Sequence, residues 1–141
     1  MNIKFPILLI ILVLVTLTSS CSFGRSGLSN MRVALDQAGD SETSTFFASD
    51  AVYGVADLNL DESSDVTEVV AKRIAVNVES LDPNSEILQE TQRILPVGEN
   101  SSSTISIYFQ LSKIGGLPAG THKVDLYLNG AFSQSVEFTV Q

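Results

Sequence analysis

The chain has 141 residues, a single cysteine and no tryptophan, with 8 Lys+Arg against 16 Asp+Glu for a net charge of −8. The acidity and the scattered bases exclude a nucleic-acid binder, because phosphate contacts need clustered Lys and Arg. One cysteine excludes an internal disulfide framework, so a folded domain must stand on its apolar core.

In chain order, the first feature is a 13-residue apolar run, Phe5 to Leu17, with Lys4 ahead of it and Thr18-Ser19-Ser20-Cys21 behind it. About 20 apolar residues are needed to cross a bilayer as a helix, so the run is short for a span. A basic start, an apolar stretch and small residues at the cut are the marks of a secretory signal. The cysteine directly after the small residues resembles the lipoprotein form of that signal, which implies acylation of Cys21 (palmitate included) as the first mature residue. Thr18 stands where that motif usually has Leu, and Leu17 lies one step earlier. An ordinary signal cut nearby and an uncut anchor are the alternatives. The expected layout is a signal peptide over 1–20, a Ser/Gly-rich flexible tether over 21–30 and one β-domain over 31–141. The signal holds one base and no acid, so the mature charge is 7 − 16 = −9.

After residue 30 the apolar period is two, which predicts strands rather than helices. Met31, Val33 and Leu35 alternate with Arg32 and Ala34. A strand follows over Ala51 to Leu58, apolar on both faces. Val66, Val70, Ile74, Val76 and Val78 share parity and are expected to form the core face of a long strand. Ile87 to Leu95 carries charge and reads as an edge strand. Ile105, Ile107, Phe109 and Leu111 predict one buried face, with Thr104, Ser106, Tyr108 and Gln110 outside. Turn chemistry at 36–40, 61–65, 82–85 and 98–101 separates these runs. The whole predicts an all-β antiparallel sandwich of seven or eight strands. For the last hairpin, a three-residue loop from Leu128 to Gly130, pairing Tyr127 with Ala131 and Leu126 with Phe132, is expected because it puts Val124, Leu126, Val136 and Phe138 on one face.

The run from Leu117 to Gly130, with Pro118-Ala119-Gly120 and Tyr127-Leu128-Asn129-Gly130, closes on Phe138-Thr139-Val140. It resembles the C-terminal hairpin of immunoglobulin-like bacterial lipoproteins of unknown function. Val33-Ala34, Asp36, Phe47 and Tyr53 to Leu58 resemble the first two strands of that family. Leu117 stands where the family often has Trp. The resemblance implies an immunoglobulin-like fold and carries no catalytic residues.

Candidates for chemistry are few. His122 is the only histidine and is expected at solvent or a sheet edge; a triad with Asp125 and a serine lacks the Gly-x-Ser-x-Gly elbow. Asp61, Glu62 and Asp65, or Asp36, Asp40 and Glu42, offer oxygen ligands for a cation, without the spacing of a helix-flanked calcium loop. Glu68 and Glu137 are a conceivable acid/base pair, with ion pairing to Lys72 or Lys123 as the plainer role. Tyr108 and Tyr127 form a binding strip if they share a face. Gly115-Gly116 lacks the Lys-Ser/Thr of a phosphate loop. The expectation is a non-enzymatic module without a cofactor, held in a bacterial cell envelope by its lipid (in the outer membrane where there are two). Its partner would be an envelope protein or a glycan, and the alternative is an envelope enzyme using an acidic, cation-binding loop.

Overall fold

The computed structural model describes residues 27–60, 66–95 and 103–141. Eight strands lie among them: β1 (Gly27–Ala34), β2 (Thr45–Phe46), β3 (Tyr53–Leu60), β4 (Thr67–Val78), β5 (Glu86–Ile94), β6 (Ser103–Gln110), β7 (Gly120–Leu128) and β8 (Ala131–Val140). They form two sheets, β1-β3-β6 and β2-β8-β7-β4-β5, antiparallel except for the short parallel pair of β2 with the end of β8. The expected sandwich is therefore present. The signal peptide, Cys21 and most of the tether lie outside the described residues. The stretch Gly27 to Asn30, expected as tether, is instead the start of β1, because Leu28 is buried in the core.

The apolar layer between the sheets explains which strand faces point inward. In β6 the buried residues are Ile107 and Phe109, followed by Leu111, with Ile105 half-buried, as the alternation predicts. β3 is the middle strand of its sheet, and Val55 and Ala56 are both buried. β5 is an edge strand, as expected from its charges. Phe46, in β2, is 1% exposed and meets Phe138 edge-on at 5.5 Å, while Phe47 points outward. Burying a ring of that size contributes about 1.5–3 kcal/mol.

β4 corrects one expectation. Its inward face is Thr67, Val69, Ala71, Arg73 and Ala75; Val70, Ile74 and Val76 sit half-buried on the outer face, and Val66 is exposed. The register with β7 decides this. Ala71 stands beside Leu126 and Ala75 beside His122, so small side chains on β4 make room for large ones on β7. A shift of the ladder between Ala75 and Asn77 then turns Val78 inward. A similar irregularity between Ser29 and Arg32 in β1 lets both Leu28 and Val33 reach the core, and Leu35 falls beyond the strand and is exposed.

The last hairpin corrects another. Leu128 pairs with Ala131 across a two-residue loop, with Asn129 at φ 48° and Gly130 at φ 84°. Two positive φ values make a turn whose twist matches the strands, the usual solution for Asn-Gly. The parity problem is solved one step later: the register shifts after Tyr127↔Phe132, and Leu126 then faces Gln134. Ser133 is the extra residue, and Val124↔Val136 and His122↔Phe138 follow in line.

Gly120 opens β7 at φ 131°, and a Cβ there would strike the Asn77 carbonyl and lie 2.7 Å from Val78 Cα. Both obstacles are backbone. Gly120→Ala is expected to destabilise the fold by at least about 2 kcal/mol, read as a lower urea midpoint at unchanged m-value.

Candidate functional site

At one end of the sandwich three connections meet: residues 47–52, 79–85 and 111–119. Hydrogen bonds tie them together. Leu111 N–H donates to the Val52 carbonyl (2.7 Å), Val52 N–H to the Ser112 hydroxyl (3.3 Å) and Leu117 N–H to the Ala48 carbonyl (2.9 Å). Glu79 N–H reaches the Ala119 carbonyl at 3.4 Å. Asp50 locks its own turn by accepting from Phe47 N–H at 2.8 Å, while its own N–H donates to the Phe47 carbonyl at 3.0 Å. Gly115 and Gly116, both at positive φ, fold the chain back so that Ile114 stands fully exposed at the tip. Phe47, Leu81 and Ile114 are thus large apolar residues held outward on connected loops.

Two buried polar side chains hold this end from below. Arg73 is 2% exposed; its Nη1 donates to the Leu111 carbonyl at 2.6 Å and its Nε has no partner among the described residues. His122 is fully buried, stacks on Phe138 at 5.2 Å and bonds the Pro118 carbonyl through Nε2 at 2.9 Å. Nε2 must be the donor there, so Nδ1 is a bare acceptor, and it too lacks a partner. Since Ala75 faces His122 and Arg73 faces Val124, the two are diagonal neighbours on adjacent strands. They grip the 111–119 connection at its two ends. Burial pushes His122 below the ordinary imidazole range; the Pro118 bond opposes this and Arg73 reinforces it. Burial also lowers Arg73 from its ordinary value.

Beside Ile114 a groove of about 480 Å³ runs between the free edges of β5 and β6, lined by Leu88, Glu90, Gln110, Ser112 and Lys113. The Gln92 side-chain amide bridges it to the Tyr108 carbonyl. The groove is mixed in character: Leu88 and Ile114 are apolar, Gln110 and Ser112 are polar, and Glu90 and Lys113 carry opposite charges.

The candidates named from sequence fall elsewhere. His122 is inside, not at solvent or an edge. Asp125 is on the opposite face of β7, where it accepts from the Ser135 hydroxyl at 2.7 Å and lies 3.5 Å from Lys123 Nζ, so no triad with His122 forms. Glu68 pairs with Arg93 at 3.0 Å, and Lys72 pairs with Glu86 at 3.1 Å. Glu137 faces Lys123, which faces Ile74, six residues from Glu68 along β4, or roughly 20 Å; the two carboxylates are not an acid/base pair. Tyr108 is on the three-stranded sheet beside Tyr53, and Tyr127 is on the five-stranded sheet beside Phe132, so they share no strip. Asp36 caps its turn, accepting from Asp40 N–H at 3.1 Å and Ser41 N–H at 2.6 Å. Hydrogen bonds from the Ser41 side chain and these amides lower its pKa. Asp61, Glu62 and Asp65 lie outside the described residues, among which no three His, Cys, Asp or Glu are grouped to hold a metal ion. Sequence reasoning missed Phe47, Ile114 and Arg73 as site-builders. A visible signal existed for Ile114, an isolated large apolar residue between Lys113 and a Gly-Gly turn.

No family model matches the sequence, and no curated protein does. Solved structures do. Alkylpurine DNA glycosylase AlkC of Pseudomonas fluorescens, bound to DNA containing an abasic site analogue, matches at TM-score 0.53 and 11% identity over 84% of this chain and 31% of that one. A GH3 β-glucosidase of Bifidobacterium adolescentis matches at 0.50 and 12% over 84% and 17%. An immunoglobulin-like protein of Pseudomonas aeruginosa, matched over 85% of this chain and 99% of its own, gives 0.47 at 8% identity. The chain spans less than a third of the first two. At such identities the likeness concerns fold alone; the strand order itself, β1-β3-β6 against β8-β7-β4, is that of an immunoglobulin-like sandwich.

Because His122 titrates lower folded than unfolded, the unfolded chain takes up its proton first as pH falls. Its contribution to stability is therefore complete above about pH 6.5 and declines below it. Urea midpoints should fall between pH 7.5 and 5.5, and His122→Leu should flatten that slope.

Proposed function

We propose that this chain is a lipid-anchored immunoglobulin-like module that binds a protein or glycan partner in a bacterial cell envelope and performs no catalysis. The observation that carries the reading is the loop end, where Phe47, Leu81 and Ile114 are exposed on hydrogen-bonded connections above Arg73 and His122. Exposed apolar groups on a rigid scaffold are the features that make interaction sites.

The placement of Cys21 supports the anchoring half. It follows an apolar run and small residues, and β1 begins six residues later, at Gly27. β1 leads away from the anchor, and its far end, Ala34, lies opposite Tyr53 and Gln110 at the loop end. An anchor at Cys21 therefore attaches at the end of the sandwich opposite the loop end. The mature charge of −9 favours solubility and discourages contact with anionic surfaces. Outer-membrane residence, where two membranes exist, belongs to the same proposal.

Two measurements test the two halves separately. Cys21→Ser should move the chain from the membrane to the soluble fraction, with the mass of the wild-type N-terminus showing the acyl groups; full retention in the membrane refutes the anchor. Cross-linking in intact cells should capture a partner with the wild type, and Ile114→Asp with Phe47→Asp should weaken that capture by about 1–3 kcal/mol per site at unchanged urea midpoint. Equal capture by wild type and variants refutes the loop-end site.

A further inference from the structure

The near end of the sandwich carries its own exposed apolar band. Gln134 Nε2 donates to the Leu28 carbonyl at 3.0 Å, which sets the start of β8 against the start of β1. At this end, on the outer face of the five-stranded sheet, Val66, Leu95 and Phe132 are 50%, 76% and 60% exposed. Thr67 stands opposite Ile94 at the end of the β4–β5 ladder, and Val66 and Leu95 are the next residues on the two chains. Phe132 stands opposite Tyr127 with the rings edge-to-face at 5.9 Å, and Val70 is Tyr127's partner on the other side. Lys72 Nζ lies 5.4 Å from the Tyr127 ring centroid, and the Arg93–Glu68 pair sits within the band.

We infer that this band lies on the surface of the bilayer in which the acyl chains of Cys21 are seated; the inference rests on the lipid-anchor reading. Chain length argues for that occupant. Gly27 follows Cys21 by six positions, a distance of no more than about 22 Å even fully extended. An anchored domain cannot carry its near end out of reach of the headgroups, whereas any other partner would have to enter that gap. Composition argues the same way. Aromatic rings flanked by Lys and Arg are the side chains that settle at the boundary between headgroups and acyl chains. The mature charge of −9 assigns the contact to zwitterionic headgroups, held by apolar burial rather than by attraction to anionic lipid. The domain then leans on its five-stranded sheet, with β1, β3 and β6 turned away from the membrane and the loops around Ile114 raised from it.

The chain has no tryptophan, so Phe132→Trp and Ile114→Trp each introduce a single fluorophore. The full-length, membrane-extracted variants are reconstituted into phosphatidylcholine vesicles with brominated acyl chains, and the mass of the N-terminus is measured on the same samples. The indole at 132 should emit at shorter wavelength and be quenched, that at 114 should emit as in water and be unquenched, and adding Leu95→Asp to Phe132→Trp should remove most of the quenching. Added salt should leave it unchanged. With lipid present on Cys21, equal emission and quenching at 132 and 114 overturns the inference, and loss of quenching in salt overturns the apolar contact. A Cys21 without lipid overturns the anchoring reading instead, and the inference with it.

Discussion

The two sheets must share one unbroken apolar layer, yet few of the strands alternate without interruption. A one-residue slip in a strand sends its whole apolar set to the wrong face, so parity has to be restored wherever the pattern breaks. Ladder irregularities do this at Asn30–Met31 in β1, at Val76 in β4, at Ile87 in β5 and at Ser133 in β8. Each changes which residues face solvent as well as which face the core. The extra residue at Ser133 brings Val136 and Phe138 into line with Val124 and His122, and leaves Phe132 outside against Tyr127. The surface at the near end is thus a by-product of keeping the interior filled.

At the far end the same layer is completed by polar groups. Leu111 and Leu117 are buried, and the chain between them leaves the core and returns. Arg73 and His122 fill the space beneath and hold the carbonyls of Leu111 and Pro118. Each also keeps one buried atom without a partner among the described residues, a cost of about 1–3 kcal/mol. A cationic side chain that deep is weak evidence for stability. Its effect is geometric: the two carbonyls are held at fixed points, so Ile114 projects from a defined base.

The two ends thereby differ in construction. At the end near Gly27 the exposed apolar residues lie on β8 (Phe132) and directly beyond the ends of β4 and β5 (Val66 and Leu95). At the opposite end they lie on cross-linked loops beside a groove. Under the proposed anchoring at Cys21, this difference would orient the domain as well as retain it, with the loop end as the surface presented to a partner.

The sequence by itself determined the strand content, the polar punctuation, the buried face of β6 and the edge character of β5, because period-two patterning and charge placement are local properties. It placed Cys21 in its setting for the same reason. Only the tertiary structure decided which face of β4 is inner, since both are apolar and the choice depends on small residues on β4 meeting large ones on β7. It decided the hairpin as well: Asn129-Gly130 prefers its own two-residue turn, and the parity error is repaired downstream at Ser133, where no local signal marks it. Burial of Arg73 and His122 could not be read because each sits among ordinary strand neighbours, and their carbonyl partners, Leu111 and Pro118, are set by how the 111–119 connection crosses the end of the core. Tyr108 and Tyr127 illustrate the limit most simply: alternation puts both outward, and only the assignment of β6 and β7 to different sheets sets them on opposite sides of the molecule.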